Sequence, residues 1–228
     1  MTQIGGATKL VGIIGWPVDL SLSPRMQNAA FDAVGFDWAY VPLPTPPERL
    51  EDAVSGLAAL GFVGANVTAP HKLAVSALCG AGVPSVNTLV IREDRMEGWT
   101  TDAAILAGLV TESAVIIGDG GSATAFAQAL PGARRYSRRT DWPPDVGDAD
   151  LVVNATSARD EVLVELGPGQ TLVDLPYPKT ATGAAALRAG ATVIGGLEVL
   201  VAQGAASFEL WTEVTAPIEV MRKAVGAK

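Results

Sequence analysis

Residues 114–123 read Ala-Val-Ile-Ile-Gly-Asp-Gly-Gly-Ser-Ala, and this stretch decides the fold. Residues 114–117 form a short apolar run suited to a buried strand, and residues 122–130 have the composition of a helix. A glycine-rich turn between strand and helix is the context that a dinucleotide loop requires. Gly118 permits the tight turn, Gly120 lets the backbone approach a pyrophosphate, and Gly121 and Ser122 open a helix whose N-terminus favours anions. Ala123 is small enough for the helix to pack closely on the strand. The same turn also serves proteins that bind nothing there.

The next strand decides between cofactors. About 20 residues after the loop, an acid at a strand end would hold the adenosine ribose of NAD. Here the corresponding residues are Ser137-Arg138-Arg139-Thr140. A cationic pair at that point suits a 2'-phosphate, so the expected cofactor is NADP. With Arg134 and Arg135 the same residues also read as a solvated strand end. Asp119 places a carboxylate inside the loop, where it is expected to point away from the phosphates or weaken their binding.

On either side of this unit, strands alternate with helices. Apolar strands are expected at 9–14, 38–43, 64–68 and 85–91, then at 134–137, 151–154, 171–175 and 192–195. Ser23 as N-cap with Pro24 behind it opens a helix that Gly35 stops; Pro46-Pro47 opens another, with Leu50, Ala53, Val54, Leu57 and Leu60 at helical spacing. Residues 92–96 read as a polar turn, and 102–109 as a short helix. The alternation indicates an α/β fold with a largely parallel sheet and a domain junction near residues 102–112.

Composition removes several mechanisms. The chain has 228 residues, 24 acidic against 16 basic, one histidine (His71) and one cysteine (Cys79). No internal disulfide is possible, no conventional zinc site is expected, and a Ser/His/Asp or Cys/His engine would have to run through His71 alone. A net charge of -8 argues against nucleic acid or an anionic membrane as partner, which leaves a small molecule. No stretch reaches the roughly 20 apolar residues of a membrane span. The first residues lack the features of a secretory leader, so a cytoplasmic enzyme is expected.

Short polar clusters fall mostly at strand ends: Ser21-Leu22-Ser23-Pro24, Asn66-Val67-Thr68, His71-Lys72, Asn87-Thr88 and Thr101-Asp102. The carboxyl ends of strands in an open α/β sheet form a ligand crevice, so these clusters are expected to line one pocket. Hydroxyls and carboxamides suit a neutral, polyhydroxylated substrate, with Lys72 and Asp102 as the proton-transfer candidates. Singly, Ser23 also reads as a helix cap, Asn87 as a turn former and Lys72 as a surface lysine.

At this point residues 9–221 resemble the shikimate dehydrogenase family. The resemblance rests on Ser21-Leu22-Ser23-Pro24, Asn66-Val67-Thr68-Ala69-Pro70-His71-Lys72, Val86-Asn87-Thr88-Leu89 and Gly98-Trp99-Thr100-Thr101-Asp102. Asn154-Ala155-Thr156-Ser157 and Leu200-Val201-Ala202-Gln203 continue it. It implies an N-terminal α/β substrate domain (1–102 with 205–228), a trimmed Rossmann-like NADP domain (103–204), and a C-terminal helix returning to the first domain. It implies that Lys72 and Asp102 form the catalytic pair. Ser21, Ser23, Asn66, Thr68, Asn87, Tyr177 and Gln203 would contact shikimate. Gly118, Gly120, Gly121, Ser122, Ala123, Ser137, Arg138, Arg139, Thr156 and Gly196 would hold NADP. The implied reaction is reduction of 3-dehydroshikimate to shikimate by a monomer or homodimer without metal. Quinate or aminoshikimate dehydrogenase, or a non-catalytic shikimate-binding homologue, is the alternative.

The chain departs from the family pattern at Leu20, Gln27, Thr100 and Val199, which bears on the choice among those substrates. It is also short. Residues 141–150 (DWPPDVGDAD) replace a helix and a strand, and two prolines forbid the usual crossover helix. In the strand order 3-2-1-4-5-6 the missing third strand is an edge. Ten extended residues reach roughly 33 Å, enough to cross two strand spacings of about 10 Å in all. The fold is expected to survive, with the outer wall of the adenosine pocket thinned.

Overall fold

The computed structural model describes residues 4–93 and 95–227. Residues 1–3, at the start of the stretch expected not to be a leader, and Asp94 in the expected 92–96 turn lie outside the described residues, as does Lys228. The chain forms two compact units, Met1–Thr101 with Val201–Lys228, and Asp102–Leu200.

The first unit opens with β1 (Lys9–Gly15), α1 (Ser23–Val34), β2 (Trp38–Pro44), α2 (Leu50–Ala59), β3 (Phe62–Val67), α3 (Lys72–Leu78), β4 (Thr88–Arg92) and β5 (Arg95–Trp99). The sheet order is β2-β1-β3-β4-β5; β1 pairs in parallel with β2 and β3, and β4 runs antiparallel to both its neighbours. Ile14, Leu50, Val54, Leu57, Phe62, Val67 and Leu89 bury one face. Burial of this kind contributes about 25 cal/mol per Å² of apolar surface.

Three local expectations are corrected. Leu22, and not Ser23, occupies the cap position of α1, and no side chain caps the helix. Ser23 is already helical and buried, so its hydroxyl is turned to the interior instead of to the exposed N–H groups of the first turn. Pro47–Arg49 forms a 3-10 turn ahead of α2. The 92–96 turn is narrower than expected, because Arg95–Trp99 is an edge strand with alternating exposed and half-buried residues. Arg95 and Glu97 face solvent, as charges on edge strands do, and with Met96 and Gly98 inward the strand carries too little apolar surface to be read as one from sequence.

The second unit contains a 3-10 turn (Asp102–Leu106), then β6 (Ala114–Ile117), α4 (Gly121–Ala129), β7 (Arg134–Tyr136), β8 (Leu151–Asn154), β9 (Thr171–Asp174), α5 (Ala181–Arg188) and β10 (Thr192–Gly195). Its sheet is parallel throughout, in the order β10-β9-β8-β6-β7. Both faces are covered, as a parallel sheet requires: Val115, Ile117, Val152 and Leu172 fill one side, Ile116, Leu151, Val153 and Val173 the other. The order is that of a doubly wound sheet without its third strand, and β7 becomes the edge.

The link that replaces the missing elements is tethered. Arg134 pairs with Asp148 and, at 3.8 Å, with Asp145. Gln170 Nε2 donates to the Val146 and Ala149 carbonyls at 2.9 and 2.8 Å. The Asp150 carboxylate accepts from Thr111 and from the Glu112 N–H at 2.8 Å, which holds it below the usual carboxylate range.

Helix α6 (Gly196–Thr212) begins in the second unit and ends in the first, and α7 (Ile218–Val225) follows it. Within the first unit α7 packs against α1, and Trp211 Nε1 of α6 donates to the Leu89 carbonyl at 2.9 Å. Gly64 makes that approach possible: a Cβ there would lie 2.3 Å from the Leu89 oxygen and 2.4 Å from Trp211 Nε1. Phe31, fully buried, packs its ring 5.3 Å from Trp38 and 5.4 Å from Phe208.

Candidate active site

In the first unit the Pro-His-Lys turn places Lys72 at the first residue of α3. The Lys72 carbonyl accepts the Val86 N–H at 3.0 Å, and the His71 carbonyl accepts that of Val75 at 2.9 Å. His71 is 2% exposed and lies 2.7 Å through Nε2 from the Thr45 carbonyl. A carbonyl only accepts, so this nitrogen carries the hydrogen. The single histidine therefore anchors the turn that carries Lys72.

Around the strand ends lies a buried network. Asn66 accepts from Tyr40 Oη at 2.7 Å, and its Nδ2 donates to the Asn87 carbonyl (3.0 Å), Thr88 Oγ1 (3.2 Å) and Ser207 Oγ (2.9 Å). Asn87 in turn donates to Thr101 Oγ1 at 2.8 Å and to Gln203 Oε1 at 3.5 Å, and accepts the Thr101 N–H at 2.7 Å. Ser23 lies in contact with Tyr40, and burial pushes the Tyr40 hydroxyl well above its ordinary pKa against the opposing hydrogen bond from Ser23. Ser21 Oγ accepts the Ser23 N–H at 3.3 Å. Thr68 donates its N–H to Ile14 at 2.8 Å, and its methyl sits where a side chain at Gly15 would clash.

The first unit thus brings Ser23, Asn66, Asn87 and Gln203 into one polar system with Lys72 on an adjoining turn. It includes Thr88 and Thr101, which belong to the polar clusters expected to line the pocket, and adds Tyr40 and Ser207, which the sequence did not single out. Asp102 and Tyr177 belong to the second unit, where Asp102 opens the 3-10 turn and is 6% exposed. The Tyr177 carbonyl accepts from Arg159 at 3.3 Å.

Two departures from the family pattern have structural roles. Gln27 is fully buried and donates to the Gly204 carbonyl at 2.9 Å, joining α1 to α6. Val199 joins the core of the second unit, while Leu20 is 86% exposed.

In the second unit the glycine-rich loop has the conformation its sequence demands. Gly118 has φ +133°, a region closed to other residues, and a Cβ there would lie 2.9 Å from the Ala155 carbonyl oxygen. Gly120 is the extended residue ahead of α4 with open space around it, and buried Ala123 would lie 3.5 Å from a Gly118 Cβ. Ser122 lies in the first turn of α4 behind Gly121. Thr156 donates through N and Oγ1 to Asn154 Oδ1 at 3.2 and 2.8 Å. Gly196 is glycine because a Cβ would meet the Leu175 and Pro176 carbonyl oxygens at 2.3 and 2.6 Å.

The four arginines separate by role. Arg134 ties down the link, and Arg135 holds the loop by donating to the Gly118 carbonyl at 2.9 Å. Arg138 and Arg139 line a cavity of about 380 Å³ together with Gly118, Ser137 and Thr156. Trp142, from the shortened link, and Glu161, neither of them assigned to the site from sequence, also line it. An anion-compatible loop, a helix N-terminus and an arginine-lined cavity fit the phosphates and adenosine of a dinucleotide.

Two family models match the chain: the shikimate dehydrogenase substrate binding domain over residues 13–88, and the shikimate 5'-dehydrogenase C-terminal domain over residues 196–225. A protein of Anaeromyxobacter sp. (strain Fw109-5) named shikimate dehydrogenase (NADP(+)) is 40% identical, over 99% of this chain and 98% of the relative. A shikimate dehydrogenase solved in complex with NADP+ superposes with TM-score 0.87 at 30% identity, over 98% of this chain and 96% of the other. The Thermus thermophilus shikimate 5-dehydrogenase solved with NADP(H) and shikimate gives TM-score 0.81 at 27% identity, over 96% and 99%.

Proposed function

The chain belongs to the shikimate dehydrogenase family and is an NADP-dependent oxidoreductase of that kind, and we propose that it reduces 3-dehydroshikimate to shikimate with Lys72 and Asp102 carrying the proton. The observation that carries this reading is the Lys72 turn: a lysine at the start of α3, its backbone held through His71 and Val86, with Val86 adjoining Asn87 of the buried carboxamide network.

Reducing a ketone needs a proton at the oxygen as negative charge develops there. In this proposal the Lys72 ammonium stabilises that charge and donates from Nζ, and Asp102 shares the proton transfer. Ser21, Ser23, Asn66, Thr68, Asn87, Tyr177 and Gln203 bind the ring hydroxyls and carboxylate of the substrate. Gly118, Gly120, Gly121 and Ser122 hold the pyrophosphate of NADP on a loop whose helix Ala123 packs against the strand, Ser137, Arg138 and Arg139 hold its adenosine 2'-phosphate, and Thr156 and Gly196 adjoin the rest. When bound, the cofactor supplies the hydride. In this assignment residues 1–102 with 205–228 form the substrate domain and 103–204 the cofactor domain, with Tyr177 and Gln203 of the latter range also serving the substrate.

Among the described residues no helix is long and apolar enough to cross a membrane, and the net charge of -8 disfavours nucleic acid. We place the protein in the cytoplasm, as a monomer or homodimer with a small molecule as its partner.

Initial rates with NADP+ and shikimate, quinate or aminoshikimate test the substrate. The expected result is a kcat/KM for shikimate at least about tenfold above either analogue, since quinate brings an extra hydroxyl and aminoshikimate an amine, and a buried polar site discriminates against a polar group for which it holds no partner. Equal or inverted preference would move the assignment to quinate or the amino compound.

A further inference from the structure

The adenosine cavity carries as many carboxylates as guanidinium groups. Arg138 Nη2 lies 2.5 Å from Glu161 Oε2, and Arg139 Nη1 lies 3.4 Å from Asp119 Oδ2. All four residues line the cavity, as does Trp142, whose ring lies 5.0 Å from the Arg138 guanidinium carbon. Trp142 comes from the shortened link, so the segment that replaced a helix and a strand supplies the wall against which Arg138 is stacked.

We infer that Asp119 and Glu161 set the cofactor preference of this chain, each holding one of the two arginines that face the adenosine ribose, so that the pocket takes NAD as well as NADP and separates them weakly. The inference rests on placing the adenosine end of NADP in this cavity. A 2'-phosphate is attracted by Arg138 and Arg139 but repelled by the carboxylates already beside them, so the discriminating charge is largely cancelled in advance. An NAD ribose presents hydroxyls instead, which donate to a carboxylate as they do to the acid of an NAD-binding fold. Both ion pairs are exposed enough to open readily, with side-chain exposures of 59% and 48% for Arg138–Glu161 and 85% and 41% for Arg139–Asp119, so NADP can still recruit the arginines. Two features of the sequence thereby acquire one explanation: an acid inside the phosphate loop, and a tryptophan in the trimmed link.

Calorimetric titration of the full chain with NADP+ and NAD+ at fixed ionic strength tests this, using wild type, Asp119→Asn/Glu161→Gln and Arg139→Ala. The expected wild-type ratio of Kd for NAD+ over NADP+ is below about thirtyfold. The double variant should raise it by at least about tenfold, through tighter NADP+ binding, the scale of removing one like-charge repulsion. A larger wild-type ratio, or a ratio unmoved in the double variant, overturns the inference. If Arg139→Ala binds NADP+ as wild type does, the placing of the adenosine fails as well. If Arg139→Ala loses NADP+ while the double variant leaves the ratio unmoved, only the role of the carboxylates fails. Titration with adenosine 2'-monophosphate against adenosine 5'-monophosphate should show the same pattern without the nicotinamide end.

Discussion

Lys72→Ala is expected to lower kcat by about 10²- to 10⁴-fold, the contribution of a positioned general acid, while the Kd for NADP+ measured by calorimetry stays at the wild-type value. The substitution removes the ammonium and leaves the backbone bonds of the turn in place. Lys72 is half-buried at the first residue of α3, alanine is the best helix former, and the bond from Val86 goes to a backbone carbonyl that any residue supplies. Loss of an interaction made only in the transition state falls on kcat and kcat/KM together, whereas loss of a ground-state contact would raise KM alone. A variant that keeps most of its turnover would remove Lys72 from the chemistry.

Asn66→Leu is expected to destabilise the first unit by about 2–4 kcal/mol and to raise the KM for shikimate. Leucine has the same number of side-chain heavy atoms as asparagine, is larger, and offers nothing to Tyr40 Oη, which now bonds Asn66 Oδ1 at 2.7 Å in a buried setting. A buried hydroxyl that loses its acceptor costs about 1–3 kcal/mol, less what its other partner Ser23 recovers, and the Asn87 carbonyl loses one of its two partners while keeping the Val67 N–H. Thr88 and Ser207 suffer less, because they already bond each other at 2.8 Å and Ser207 also donates to the Gln203 carbonyl at 2.9 Å. Adding Tyr40→Phe to Asn66→Leu should therefore recover part of the lost stability in chemical denaturation, a coupling that two independent packing defects would not show. Unchanged denaturation of the single variant would mean that the network is not structural.

Much of the architecture was legible because its local signals agree. The run at 114–123 forms a strand, a left-handed glycine turn and a helix, each for the reason its residues supply. The shortened link was also legible, since two prolines and a known strand order leave only an edge to delete. Other features were hidden for physical reasons. Four arginines within six positions look alike in sequence, and only the backbone direction at the end of β7 sends Arg138 and Arg139 to the cavity while Arg134 and Arg135 serve the scaffold. Strand β5 carries too little apolar surface to be read from sequence. Tyr40, Thr88 and Ser207 come from separate strands and a distant helix, so their convergence on Asn66 needs the tertiary fold. Trp142 reads as a loop residue until the cavity is present.

The most direct measurement follows NADPH consumption by the full chain with 3-dehydroshikimate, alongside calorimetric titration with NADP+ and with shikimate. NADPH lost in step with shikimate formed, with both ligands binding, is the expected result for a dehydrogenase whose trimmed second unit still holds its cofactor. Shikimate binding with neither NADP+ binding nor turnover would contradict it, leaving a protein that kept the substrate pocket and gave up the reaction.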